Sequence, residues 1–175
     1  AVNPAYAGSR DALTIAGVSR MQWIGMDGAP LTQTLTVHSP VFGKSFGAGI
    51  NVLNDKIGPN KTTNLYVDFS YRMQVAKKSW LSFGLKSGAN YVQSNLDGLK
   101  TIDDEIDYAF TGNSYSKLLP NFGFGMYFSM PHFYAGISVP RIIEHGVDGS
   151  SVLSGNDGYF VKRHYTFIAG SIMDV

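Results

Sequence analysis

The sequence predicts an all-β fold, an antiparallel transmembrane β-barrel of the outer-membrane kind with about eight strands in this chain. Three observations carry that prediction. Apolar and polar residues alternate with period two over stretches longer than the five or six residues usual for soluble strands. No run of about 18 consecutive apolar residues is present to form a membrane-spanning helix. The chain also combines 13% aromatic residues and 20 glycines with only 15% charged residues.

The clearest alternation sets Leu65, Val67, Phe69, Tyr71, Met73 and Val75 against Tyr66, Asp68, Ser70, Arg72 and Gln74. A second segment sets Leu81, Phe83, Leu85, Ala89 and Tyr91 against Ser82, Gly84, Lys86, Gly88 and Asn90. The two read as a hairpin across Lys77-Lys78-Ser79. The same pattern predicts strands at about 12–25, 31–39, 45–54, 64–76, 80–93, 121–129, 132–139 and 160–173.

Between these strands the connectors at 40–44, 77–79 and 130–131 are short, whereas 54–63, 94–120 and 140–159 are long. Bacterial barrels keep short turns on the periplasmic side and longer loops outside. Trp23, Trp80, Tyr91, Tyr127 and Tyr159 fall near strand ends, where amphipathic rings settle between hydrocarbon and headgroups.

At 175 residues the chain reads as one domain. A net charge of +1, with scattered basic residues, excludes an electrostatic nucleic-acid footprint. The absence of cysteine removes disulfides, thiol catalysis and cysteine-ligated metals. No basic segment followed by an apolar core opens the sequence, so the export signal of an exported protein would be removed or lie outside this stretch.

Several ordered motifs together resemble the PorP/SprF family of type IX secretion system membrane proteins of the Bacteroidota. The opening Asn3-Pro4-Ala5-Tyr6-Ala7-Gly8-Ser9 is similar to the family's first motif, and Arg20-Met21-Gln22-Trp23 with Gly28-Ala29-Pro30-Leu31-Thr32 to its first hairpin. His38-Ser39-Pro40, Gly47-Ala48-Gly49-Ile50, Asn54-Asp55-Lys56-Ile57-Gly58 and Tyr66 to Arg72, which includes Tyr71, follow in the family's order. Leu81 to Leu85, Pro120 to Gly125 and Phe133 to Pro140 extend the likeness over nearly the whole chain.

Members of that family are usually longer, so the resemblance implies that residues 1–175 are an incomplete part of a larger barrel, although eight strands can close alone in the smallest barrels. It further implies a non-enzymatic outer-membrane protein that assists secretion of a cargo or adhesin, or holds the cargo's C-terminal domain at the surface of a gliding or adhesive cell. Some relatives contact a periplasmic, peptidoglycan-binding component. Outer-membrane lipid is the remaining partner, and no cofactor is implied.

Two groups of charged residues stand out as candidate sites. Arg20, Gln22, Asp68, Arg72 and Lys86 share the polar side of their strands and are expected to form a polar network in the lumen. Asp103, Asp104, Glu105 and Asp107 cluster in the longest predicted surface loop, where a solvated acidic patch, calcium binding or docking of a basic cargo are the readings.

The remaining candidates are weaker. His38, His132, His145 and His164 lack the spacing of a zinc site. A passive channel and a lipid-modifying enzyme with a serine–histidine pair are the alternative functions, and no particular pair stands out. Gly47-Ala48-Gly49 and Gly123-Phe124-Gly125 lack the rest of a nucleotide loop and fit bending or close packing within strands.

Overall fold

The computed structural model describes residues 2–95, 115–146, 160–161 and 163–172. A short 3-10 turn at Pro4–Tyr6 precedes ten strands: β1 (Thr14–Met21), β2 (Leu31–Phe42), β3 (Phe46–Ile57), β4 (Asn60–Ala76), β5 (Ser79–Ser94), β6 (Tyr115–Met130), β7 (Phe133–Val139), β8 (His145–Gly146), β9 (Phe160–Val161) and β10 (Thr166–Ser171). Eight of them form one antiparallel sheet in the order β1-β2-β3-β4-β5-β6-β7-β10, and β8 pairs with β9 separately. The sheet is a curled half-barrel with β1 and β10 at its two edges.

Burial follows the alternation, with polarity reversed relative to a soluble protein. On β4, Asp68 is 1% exposed and Arg72 7%, whereas their neighbours Phe69 and Tyr71 are 59% and 46% exposed. The buried set is mostly polar and includes Asn51, Asn64, Ser82, Lys86, Asn90, Asn121 and Ser138, while Ile50, Leu65, Leu85, Phe122 and Ile137 stand on the convex face. A sheet whose exposed face is apolar and whose enclosed face is polar matches hydrocarbon outside and a lumen within.

The convex apolar stripe of β4 runs from Leu65 to Val75. At about 3.3 Å per residue and a tilt of about 40°, its ten steps span roughly 25 Å of membrane normal, the height of the apolar band of such barrels. Polar side chains bound it. Thr63 Oγ1 donates to Asn54 Oδ1 (3.2 Å) on one side, and Lys77 and Lys78 form the turn on the other.

Strand limits depart from the sequence expectation where polar residues continue the pairing. The connector expected at 54–63 is a two-residue turn, Gly58-Pro59, because Asp55 pairs with Thr62 and Lys56 with Lys61. Gly58 takes φ +55°, a left-handed conformation in which glycine carries no steric cost. β6 starts at Tyr115, earlier than expected, and extends the β5 ladder to Ser94.

The ends of the sheet differ as well. β1 stops at Met21, before Trp23, whose φ of +54° takes it out of the strand. The strand expected at 160–173 divides, with Phe160–Val161 pairing to β8 and Thr166–Ser171 to β7. Connectors 43–45, 77–78 and 131–132 share one end of the sheet; 22–30, 58–59, 95–114 and the segment after β7 share the other.

Candidate functional site

The concave face is occupied by the chain's own N-terminal segment. Register defines the seat: Pro40, Gly47, Ser70, Gly84, Gly125, Ser138 and Thr166 stand opposite one another, strand after strand, in one row of small residues. Directly opposed residues of an antiparallel ladder share a face. A Cβ placed on Gly47 would fall on the Ala7 carbonyl, one on Gly84 on the Pro4 and Ala5 backbone, and one on Gly125 on the Asn3 side chain. Only glycine leaves room for the segment at these positions.

Side chains of the sheet then capture the segment's polar groups. Ser70 Oγ donates to Ala7 O (2.6 Å), Arg72 Nη1 to Ser9 O (3.0 Å) and Ser138 Oγ to Val2 O (3.3 Å). Asn3 caps the 3-10 turn by accepting from the Ala5 N–H (2.9 Å) and donates through Nδ2 to Met126 O (3.0 Å). Gly8 N–H donates to His38 Nδ1 (3.3 Å), and Arg72 Nη2 lies 2.8 Å from Asp11 Oδ1. The Tyr6 ring meets His38 and Tyr127 edge-on, with centroids 5.7 and 5.5 Å apart. Pro4 and Ala5 are almost completely buried as a result.

Toward the longer connectors the lumen holds a polar chain. Thr36 Oγ1 donates to Asn51 Oδ1 (2.9 Å), Asn51 Nδ2 donates to Asp68 Oδ2, and Lys86 Nζ lies 3.6 Å from Asp68 Oδ1. Lys86 also sits over the Tyr66 ring, whose hydroxyl donates to Asn90 Oδ1. The charges of Asp68 and Lys86 are each the other's counterion at a site otherwise closed to solvent.

Of the five residues expected in a luminal network, Asp68, Arg72 and Lys86 are buried on the concave face. Arg72 is turned toward the N-terminal segment and stacks its guanidinium over Trp80 at 4.3 Å. Arg20 lies opposite Thr32 on the edge strand and is exposed, and Gln22 lies beyond the end of β1. Neither reaches the Asp68–Lys86 pair. Asp103, Asp104, Glu105 and Asp107 lie outside the described residues.

Residues of the family-like motifs fall at different levels. Asn3, Pro4, Tyr6 and Gly8 belong to the seated segment, while Gln22 and Trp23 open the β1–β2 connector. Asn54 accepts from Thr63, Asp55 accepts from Thr32 Oγ1 (2.5 Å), and Gly58 makes the adjoining turn. Tyr71 stands on the convex face against Phe46, ring centroids 5.1 Å apart. Trp80 and Tyr127, expected at a membrane interface, instead contact Arg72 and Tyr6 on the concave side.

A cavity of about 880 Å³ remains between the two edges, lined by Thr14 and Ala16 of β1, Thr166 and Ile168 of β10, and Tyr6 and His38. Among the described residues, no three of His, Cys, Asp or Glu converge as metal ligands. The site is built for holding a peptide segment and for satisfying polar groups away from lipid.

No curated protein and no solved structure matches the chain. A family profile does, over residues 1–175, described as type IX secretion system membrane protein PorP/SprF. With a sheet that is apolar outside and polar inside, and a profile match along its whole length, the chain belongs to the PorP/SprF family of type IX secretion system membrane proteins.

Proposed function

We propose that the protein is a non-enzymatic outer-membrane barrel that holds a secreted type IX cargo or adhesin at the cell surface, or assists its secretion. The observation that carries this reading is the segregation of connectors. Three turns of two or three residues share one end of the sheet, and the other end carries all of the longer connectors, 22–30, 95–114 and 140–165, beside the two-residue turn 58–59. In bacterial outer membranes the short-turn end is periplasmic and the longer connectors face outward. The acidic stretch Asp103, Asp104, Glu105 and Asp107 is then available at the surface to a basic cargo domain, and the short turns are available to a periplasmic, peptidoglycan-binding component of the machinery.

Barrel closure belongs to the same reading. Edges β1 and β10 carry backbone N–H and C=O groups that hydrocarbon cannot satisfy. Further strands of the intact protein inserted between them complete the wall. A diffusion channel is the less favoured function, because residues 2–11 cross the lumen.

Deleting residues 96–114 from the full-length protein in its native cell tests the docking role. Cargo is expected to leave the surface and appear in the medium while the barrel stays in the membrane fraction. Unchanged surface retention of every cargo would overturn the role of that connector. Cross-linking of native membranes followed by mass spectrometry identifies the partner at each end.

A further inference from the structure

We infer that residues 2–11 are a built-in stopper of the lumen, seated across the concave face between the short turns and the buried polar layer around Asp68 and Lys86. The inference does not depend on which cargo the barrel serves. Segment 2–11 adds no strand to the sheet. It is held instead across five strands: by side chains of β2 (His38), β4 (Ser70 and Arg72) and β7 (Ser138), by the Met126 carbonyl of β6, and in the space left at Gly84 of β5 and Gly125 of β6. A segment that served only to cover one strand would not need anchor points across the sheet.

The glycines point the same way. Glycine weakens a strand interior, since it has no side chain to pack and loses the most freedom on folding. Gly47, Gly84 and Gly125 stand in one row, and at each the space a Cβ would take is filled by the N-terminal segment. The wall is cleared at the level where the stopper crosses. Pro4 and Ala5 are almost fully buried, so the segment is sealed against β4, β5 and β6, and the cavity between the two edges lies on its other flank.

On the other side of the stopper the lining becomes polar. Asn51 and Asn121 stand in one row, and Asn64 and Asn90 in the next row toward the longer connectors. Asn64 Oδ1 and Asn121 Nδ2 are buried without a protein partner among the described residues. All four asparagines are buried, so the segment is the floor of a packed polar layer.

Bilayer recordings on the full-length natural protein test the floor. The wild type is expected to be silent, and the folded Gly84→Val/Gly125→Val variant, whose wall no longer admits the segment, to show steady ionic conductance. A wild type that already conducts at the level of the variant would overturn the inference, and so would a folded variant that stays silent.

A second design covers failure of that variant to fold. Asp11→Ala removes the Arg72 ion pair and is expected to give intermittent openings. A Cβ on Gly49 would lie 3.7 Å from that of Ala7, within the roughly 3.5–4.5 Å that a disulfide requires. In the Asp11→Ala background, Ala7→Cys/Gly49→Cys is expected to fall silent on oxidation and to reopen with dithiothreitol. The 175 residues contain no cysteine to compete. Openings indifferent to the cross-link, or none in Asp11→Ala, would sink the stopper.

Discussion

Lys86 Nζ stands 3.6 Å from Asp68 Oδ1 on the neighbouring strand, with side chains 5% and 2% exposed. Removing one partner takes away the opposite charge that the other faces in a buried site. Asp68→Ala is expected to lower stability by about 3–5 kcal/mol, whereas the double change Asp68→Leu/Lys86→Met, which removes both charges, recovers most of it. Urea unfolding in lipid vesicles measures both. Equal losses in the single and double variants would mean that the pair is not coupled.

Phe69 and Thr63 both point from the convex face, one inside the apolar band and one in the polar row above it. A lysine at the middle of the band is expected to cost about 2–4 kcal/mol and one near the interface about 0–1 kcal/mol. Phe69→Lys should therefore shift the unfolding midpoint far more than Thr63→Lys. Matching shifts would place the bilayer elsewhere on the sheet.

Gly84 and Gly17 are both strand glycines with opposite expectations. At Gly84 a side chain meets the Pro4–Ala5 backbone, and at Gly17 it meets nothing within 4 Å. Gly84→Ala is expected to destabilise by about 1–3 kcal/mol, the usual overpacking range. Gly17→Ala should be neutral or stabilising by up to about 1 kcal/mol. Paired unfolding curves decide, and the reverse order would contradict the seat described for the N-terminal segment.

Arg72 uses its planar fork twice, toward Ser9 O and Asp11, while its face covers Trp80. Lysine cannot serve all three. Arg72→Lys is expected to cost about 1.5–3 kcal/mol, the worth of a hydrogen bond to a charged group. The Trp80 environment should change with it, readable as a shift in tryptophan fluorescence against a Trp23→Phe background.

The strands that cross the apolar band were legible in the sequence because lipid on one side and an enclosed polar space on the other impose a two-residue rhythm. Leu65 to Val75 against Tyr66 to Gln74 is the plainest case. Above the band that rhythm loses its apolar beat. Asp55 with Thr62, and Lys56 with Lys61, pair as regularly as Phe69 with Leu85, yet they read as a loop because both faces are polar. Tyr115 to Leu119 escaped for the same reason of position.

The seat of residues 2–11 left a weaker trace. Ala7 and Ser70 are 63 positions apart and Asn3 and Met126 are 123 apart, so no local pattern links them. The available signal was glycine at positions where the alternation calls for an inward side chain, as at Gly47, Gly84 and Gly125. The sequence marks Gly47 and Gly125 as sites of bending or close packing without saying against what, and Gly84 only as a member of the polar side of its strand. Asp68, Arg72 and Lys86 were recognisable as inward-facing, but their division between the lumen and the N-terminal segment depends on three dimensions.

The distances along the chain from Val2 to its partner on β7 and from Asn3 to its partner on β6, 136 and 123 residues, also dictate an order of assembly. Contacts between remote parts of a chain form slowly, because long loops must close before any interaction rewards them. Residues 2–11 thus wait for β7 to join the sheet before their binding surface is complete. Until then Pro4, Ala5 and Tyr6 remain exposed, and the concave face of the sheet remains unfilled.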